Sequence, residues 1–573
     1  MLPTARWRSK AVIVLVLMLG VNLIFYQYND EIKQHIRIWR LNETSNTSNT
    51  IKPLGTVRLP PGHLGSPVQW SSSDKEIAAF VQESIKQYGF NEYAAALMST
   101  RRSLPDLRPL ECVTSRRKIL TLPKTSIVIV FYNEPWTVLL RTVHSVLNNT
   151  PAHLLDEVLL VDDRSHLPFL KAQLEEYFRT YDKVRIVRAP ERLGLIRARM
   201  FGSRNTTSAV LTFLDAHVEC TTGWLEPLLE QILENGQTIA VPLIDRIDDT
   251  DMHLVANVST DLFGAFEWDL NFGWWHRSTF PQRCTQRPSE PFEVPAMAGG
   301  IFAIARAFFH RLGWYDEQFR LYGMENAELS IKCWLCGGRI LTVPCSHVAH
   351  IRKSAHPYID DGHQNVTFVN SIRLAEVWMD EYKRVVFDVN GIPGYADDLF
   401  GSVAERKAFR AGAGCKAFRY YLKRAYPEMP SPNVAGQFRG EVHNAAFGKG
   451  TCLTVGSSPS SPALYMAPCD KRNQTQYWAH NFYRELNSYK RCIDAGSAGT
   501  NPTLAACHRM RGAQSWSYDA KRQQIRSLVR EVCLAVDTDS YSGVVRLEPC
   551  DDRKQIQRWY VTLVEYNFWK LPQ

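Results

Sequence analysis

The last third of the 573-residue chain repeats itself three times, and that period constrains the fold more than any other feature. Cys452, Cys492 and Cys533 open the units, 40 and 41 residues apart. A second cysteine follows in each (Cys469, Cys507 and Cys550). Seven residues further on comes a Gln-x-Trp triplet: Gln476-Tyr477-Trp478, Gln514-Ser515-Trp516 and Gln557-Arg558-Trp559. A fixed period this short means stacked or pseudo-symmetric units sharing one core. Short strand-like runs with Gly, Ser, Pro and Asp between them make the module all-β. Pairing of the cysteines within each unit is the simplest disulfide arrangement.

A chain of this length holds two or three domains, and its 45% hydrophobic fraction is ample for their cores. The net charge of +9 is spread over 67 basic and 58 acidic residues. With no basic stripe carrying interleaved aromatics, nucleic acid is not an expected partner. At the N-terminus, Arg6, Arg8 and Lys10 precede an apolar run from Ala11 to Tyr26, broken only by Gly20 and Asn22. That is slightly short of the roughly 20 residues that span a bilayer, a deficit that thin early-secretory membranes tolerate. Positive charge in front, and no convincing small-x-small site behind, favour an uncleaved type II anchor over a signal peptide. Sequons at Asn42, Asn46, Asn148, Asn205, Asn257, Asn365 and Asn473, with 13 cysteines, fit a lumenal compartment.

The expected layout is a cytoplasmic tail over 1–10, a transmembrane anchor over 11–28 and a stem over 29–110. The stem is polar and carries Pro53, Pro60, Pro61 and Pro67, as an extended linker would. An α/β domain over 111–430 follows, then a linker over 431–445 and the repeats over 446–570. In the α/β part, Ser126–Phe131 is a buried-strand run and Trp136–Leu147 has helical apolar spacing. Val158–Val161 and Val210–Leu214 are further strands, ending in Asp162-Asp163 and Asp215-Ala216-His217. Strand–helix–strand order with polar strand ends describes a mainly parallel sheet, whose ligands bind at the C-terminal strand ends.

A carboxylate and an imidazole at Asp215 and His217 suit a borderline divalent metal such as Mn²⁺. Alone, the same pattern is also that of a turn with a hydrogen-bonded histidine. Paired acids at Asp162-Asp163 on a neighbouring strand commonly hold a ribose or base, leaving the metal to hold a diphosphate and neutralise its leaving charge.

The repeats resemble the ricin-type lectin, a β-trefoil for galactose-like sugars, with Trp and Gln as structural rather than sugar-contacting residues. Ser126–Glu134, Leu154–Ser165, Asp215–Glu219, Met297–Phe302, Tyr322–Gly338, Val343–His350 and Ala375–Tyr382 come in the order found in polypeptide N-acetylgalactosaminyltransferases. The chain resembles that family over about residues 105–570. The resemblance implies a GT-A (Rossmann-like nucleotide-sugar) α/β domain followed by the all-β lectin. It further implies UDP-GalNAc as donor, Mn²⁺ as cofactor, and a type II protein of the Golgi membrane. GalNAc would pass with retention to Ser or Thr of protein or glycopeptide acceptors, by front-face attack with the β-phosphate helping to take the acceptor proton.

Carried over by resemblance, Asp215, His217 and His350 would hold the metal. Asp163 and Arg192 would contact the UDP part, with Ala216 lining the same pocket. Gly299 and Gly300 would admit the sugar, although the pair alone also reads as a simple turn. Glu325 would be catalytic; its plain alternative is an acid favoured at a helix N-terminus. Tyr322, Lys353, His356 and Tyr358 would complete the substrate contacts, the last three on or beside a closing loop over Lys353–Gln364. Cys112–Cys345 and Cys336–Cys415 would be the catalytic-domain bridges, with Cys452–Cys469, Cys492–Cys507 and Cys533–Cys550 in the lectin.

The chain departs from the family at Met324, where glycine is usual, at Tyr322 for tryptophan, at Lys353 for arginine and at Val130 for threonine. Lysine keeps the charge but loses the planar fork that grips phosphate. Together these changes point to a narrow or glycopeptide-preferring enzyme. In the lectin, only the second repeat has an acid two residues after its first cysteine, so Asp494 with His508 is the expected GalNAc site. Thr454 and Ala535 stand at the equivalent positions. The main alternative is a catalytically silent, glycan-binding or regulatory member.

Overall fold

The computed structural model describes residues 59–563 except 115–120, 256–260, 285–286, 354–365, 391–399, 433–436, 457–462, 471–472, 482, 489–490, 509–511 and 540–542. Its α/β part has twelve strands among the described residues. These are β1 (Thr125–Phe131), β2 (Leu155–Asp162), β3 (Val184–Arg188), β4 (Val210–Asp215), β5 (Val218–Cys220), β6 (Thr238–Ile247), β7 (Leu254–Val255), β8 (Leu262–Phe266), β9 (Phe272–His276), β10 (Phe292–Glu293), β11 (Phe302–Ala305) and β12 (Arg339–Ile351). Ten of them form one mixed sheet in the order β10-β12-β6-β11-β4-β1-β2-β3, with β5 on β12 and β7 on β6, while β8 and β9 form a separate hairpin. The strands β4, β1, β2 and β3 run parallel.

The continuous apolar run of β1 reflects burial on both faces. Val128 faces one core with Ile196 and Met200 of helix Gly194–Arg204. Ile127 and Ile129 face the other, with Leu139 and Val143 of helix Trp136–Asn149. That second helix begins where the apolar spacing places it and runs two residues further.

The proline-rich segment expected as an extended stem to residue 110 is folded over its described part. Helices α1 (Lys75–Tyr88) and α2 (Glu92–Leu97) begin at Asp74 and Asn91, whose side chains accept the first free backbone N–H groups. Phe90, Ala94 and Met98 share a core with Ile247, Ala349 and Ile351 of the main sheet. Buried Arg141, on helix Trp136–Asn149, donates to the carbonyls of Ala95 at 2.6 Å and Ser99 at 3.1 Å. The prolines lie ahead of the helices, so their linker signal was extended too far along the chain.

The repeats form hairpins at equivalent places: Thr451–Val455 with Leu464–Pro468, Arg491–Asp494 with Thr503–Ala506, and Val532–Val536 with Val545–Pro549. Trp478, Trp516 and Trp559 are fully buried and donate from Nε1 to the carbonyls of Leu453, Ile493 and Leu534 at 2.8, 2.8 and 2.9 Å. Each conserved-spacing glutamine clamps the chain beside its second cysteine. Gln514, for instance, donates to Ala506 O at 3.1 Å and accepts from His508 N at 3.2 Å. Both residue types are therefore structural. The module also begins earlier than expected: strand Phe438–Asn444, inside the segment read as a linker, pairs with Trp478–His480 and Trp559–Leu563. Its sequence shows little apolar alternation, which hid it.

All five expected disulfides are present. Cys220 and Cys333 are free and buried, and Cys284 is free and exposed. The expected anchor over 11–28 lies outside the described residues, and no helix among those is long and apolar enough to cross a membrane.

Candidate active site

A cavity of about 440 Å³ opens at the C-terminal ends of β1, β2 and β4. Asp215 ends β4 and His217 stands just before β5, which pairs antiparallel with β12 so that Val218 faces His350. That register brings the distant third member of the set into place, and Ile351 N donates to His217 O at 3.1 Å. Donor atoms of Asp215, His217 and His350 all lie within 4.8 Å of one another. Asp215 Oδ2 is 3.4 Å from His350 Nε2.

The electrostatics fit a cation-binding role. Burial works to raise the Asp215 pKa, but His350 and Arg199 outweigh it and hold the carboxyl well below its usual range. Burial, with Lys353 nearby, lowers the His217 pKa. At neutral pH the set therefore offers one carboxylate and a neutral imidazole, the states in which such groups ligate. The donor chemistry and spacing fit a divalent metal.

Glu325 opens helix Glu325–Leu335, 6% exposed, and accepts from Gly323 N at 2.9 Å. Burial raises its pKa although Arg199 opposes this. Gly299 has φ +89° and a Cβ there would collide with Asn326, while a Cβ on Gly300 would strike the Asp215 carboxylate. Glycine is therefore required where these two chain segments meet.

Asp163 lines the cavity but also caps helix Gly194–Arg204, accepting from Leu193 N at 2.7 Å and Gly194 N at 2.9 Å, and pairing with Arg192. Arg192 stacks 3.6 Å above the Tyr132 ring. Of the two adjacent acids, Asp162 is structural: it accepts from Ser165 N and pairs with Lys171 and Arg188 away from the cavity. Ala216, Gly300, Tyr322 and Lys353 line the cavity as well. His356 and Tyr358 lie outside the described residues. Met324 is not among the lining side chains; it is 8% exposed within the apolar core.

Sequence reasoning missed Arg199, Glu134 and Trp274. Arg199 is 3.1 Å from Asp215 and 3.6 Å from Glu325. In sequence it is one cation on an amphipathic helix, and only the fold reveals its two acidic neighbours. Trp274 is 51% exposed at the cavity mouth. Glu134, in the polar turn after β1, has its carboxyl drawn down to about 2. Burial acts to raise it, but Lys353 and His217 prevail.

In the lectin, Asp494 Oδ1 accepts from Gly496 N at 2.7 Å, and the Gln514 clamp holds the backbone of His508 nearby. Thr454 is buried and accepts from Gln476, and Ala535 is fully buried, so neither reaches a ligand.

Known proteins resemble the chain along most of its length. The model of glycosyl transferase family 2 matches residues 126–309, that of the N-terminal domain of galactosyltransferase residues 282–357, and that of the ricin-type beta-trefoil lectin domain residues 438–559. Polypeptide N-acetylgalactosaminyltransferase 5 of Caenorhabditis elegans is 40% identical over 486 residues, 83% of this chain and 75% of the relative. The human polypeptide N-acetylgalactosaminyltransferase 10 is 36% identical over 524 residues, 88% and 83% of the two chains. A crystal structure of GalNAc-T7 with UDP, GalNAc and Mn²⁺ matches with a TM-score of 0.70 at 31% identity, covering 90% of this chain and 94% of that one. At 36–40% identity over most of both chains, these relatives show that the chain belongs to the polypeptide N-acetylgalactosaminyltransferase family.

Proposed function

We propose that the protein transfers GalNAc from UDP-GalNAc to Ser or Thr hydroxyls of proteins or glycopeptides with retention of configuration. The observation that carries this reading is the convergence of Asp215, His217 and His350 beside Glu325 in one cavity. In this reading Asp215, His217 and His350 hold Mn²⁺, which when bound neutralises charge on the departing diphosphate. Arg192 stacked on Tyr132 walls the nucleotide end. Gly299 and Gly300 keep space for the sugar, and Glu325 meets the sugar and acceptor. Tyr322 and Trp274, exposed by 42% and 51%, form the mouth through which an acceptor peptide enters. Lys353 supplies positive charge toward the diphosphate, and His356 and Tyr358, further along the sequence, add contacts to it. Asp494 and His508 hold a GalNAc residue already on the acceptor. An anchor over 11–28 with a tail over 1–10 puts these domains in the Golgi lumen.

The substitution of Lys353 for the family's arginine favours a second reading, a silent glycan-binding member. Transfer by the full-length protein from UDP-GalNAc to matched naked and GalNAc-bearing peptides, read by mass spectrometry, separates the two. Transfer to either panel supports the enzyme, and the reacting panel gives the acceptor class. No transfer, together with no UDP-GalNAc binding by folded protein, supports the silent form.

A further inference from the structure

We propose that Glu134 is a positioning residue for the metal centre, fixing the ring of His217 from behind while holding the ammonium of Lys353. This rests on the metal-dependent reading above. Glu134 lies just after β1, beyond Asn133 in the left-handed region at φ 49°. Its side chain is 4% exposed, and one oxygen, Oε1, is 3.3 Å from His217 Nδ1 and 3.5 Å from Lys353 Nζ. The first contact does not meet hydrogen-bond geometry; what it supplies is a buried anion 3.3 Å from Nδ1, against that edge of the ring. A carboxylate behind a ligating histidine fixes its tautomer and ring orientation and raises its basicity.

The same oxygen aims the second group. Lys353 lies two residues beyond β12, 6% exposed, with Nζ 5.9 Å from the centre of the Phe90 ring. A lysine is a point charge on a flexible stem, so its direction depends on its counter-charge more than an arginine's would. Glu134 therefore joins the metal ligand after β4 to the cation two residues beyond β12.

The plainer account is an ion pair that merely neutralises Lys353. The two accounts part in a double-mutant cycle of Glu134→Gln and Lys353→Met in the full-length protein. The readout is Mn²⁺ titration followed by electron paramagnetic resonance without donor or acceptor, with His217→Ala as reference. Glu134→Gln should weaken Mn²⁺ binding by about 10- to 100-fold, the usual range for removing such a partner. Lys353→Met, which deletes a nearby cation, should bind as tightly as wild type or more so. The double variant has the wild-type charge balance and no unpaired buried cation, so it also carries the test should Glu134→Gln fail to fold. Binding still at least about tenfold weak in the double variant supports orientation of His217. Recovery to the wild-type value overturns the proposal, as does undiminished binding by Glu134→Gln. If wild type binds no Mn²⁺, or His217→Ala binds as well as wild type, the metal reading itself fails and the proposal with it.

Discussion

Glu92 and Glu134 are both buried carboxylates on the α/β domain, yet their environments push them in opposite directions. Glu134 has Lys353 and His217 beside it and titrates at about 2. Glu92 is 7% exposed, one carboxylate oxygen makes no hydrogen bond, and burial pushes its pKa from 4.5 to about 7. Because its folded pKa lies above the unfolded value, its stabilising contribution is complete below about pH 4.5 and is lost as pH rises through about 7. The full loss is on the order of 3 kcal/mol, at about 1.4 kcal/mol per pKa unit. Glu92→Gln should therefore be more stable than wild type at pH 8 and show no advantage at pH 4.5. Urea midpoints at the two pH values check this. An equal change at both would show that Glu92 is not the titrating group.

At the scale of elements, the lectin repeat separates structural from ligand-facing polar groups. Gln514 holds Ala506 and His508 through its amide, whereas Asp494 accepts from Gly496 N and from Gln514 Nε2 within its own repeat. Gln514→Ala should cost about 1–3 kcal/mol by leaving buried partners unmade, and should weaken GalNAc binding by loosening the loop. Asp494→Ala should leave the melting temperature nearly unchanged and abolish GalNAc binding measured by calorimetry. Retained binding would remove the sugar site from this repeat. These elements also show what the sequence could and could not disclose. The buried strands and the cysteine pairs within each repeat follow from pattern and spacing, whereas Cys112–Cys345 and Cys336–Cys415 were legible only through the family resemblance. The nearness of His350 to His217 depends on β5–β12 register, a contact across 133 residues that no local pattern encodes. Strand Phe438–Asn444 and helices α1 and α2 were missed because neighbouring prolines and polar residues gave a stronger local signal than their sparse apolar positions.

Across the whole molecule, the N-terminal segment is part of the catalytic fold. Arg102 makes a two-point pair with buried Glu219 at 2.8 and 2.9 Å, and Cys112 is joined to Cys345 on β12. A chain starting at residue 111 would expose Ile247, Ala349 and Ile351 and strand the Glu219 carboxylate without its cation. Breaking such a buried pair typically costs about 3–5 kcal/mol. Expression from residue 111 should thus give aggregated or strongly destabilised protein, while a start at residue 59 should melt like the full chain. Equal melting of both would mean the segment is a passive stem after all. The lectin is docked too: Tyr483 bonds Glu267, Arg439 pairs with Asp388, and Asn487 reaches Val389 O at 3.4 Å. The function assigned to this assembly depends on the metal set at the sheet ends. Its most direct test compares peptide GalNAc transfer by wild type and His217→Ala, each after chelation and after Mn²⁺ is restored. Wild type should lose activity to the chelator and regain it with Mn²⁺, while His217→Ala stays at least about 100-fold below Mn²⁺-restored wild type with or without Mn²⁺, as expected when an electrostatic stabiliser of the leaving charge is lost. Transfer that is insensitive to chelator, or undiminished in His217→Ala, would contradict the account.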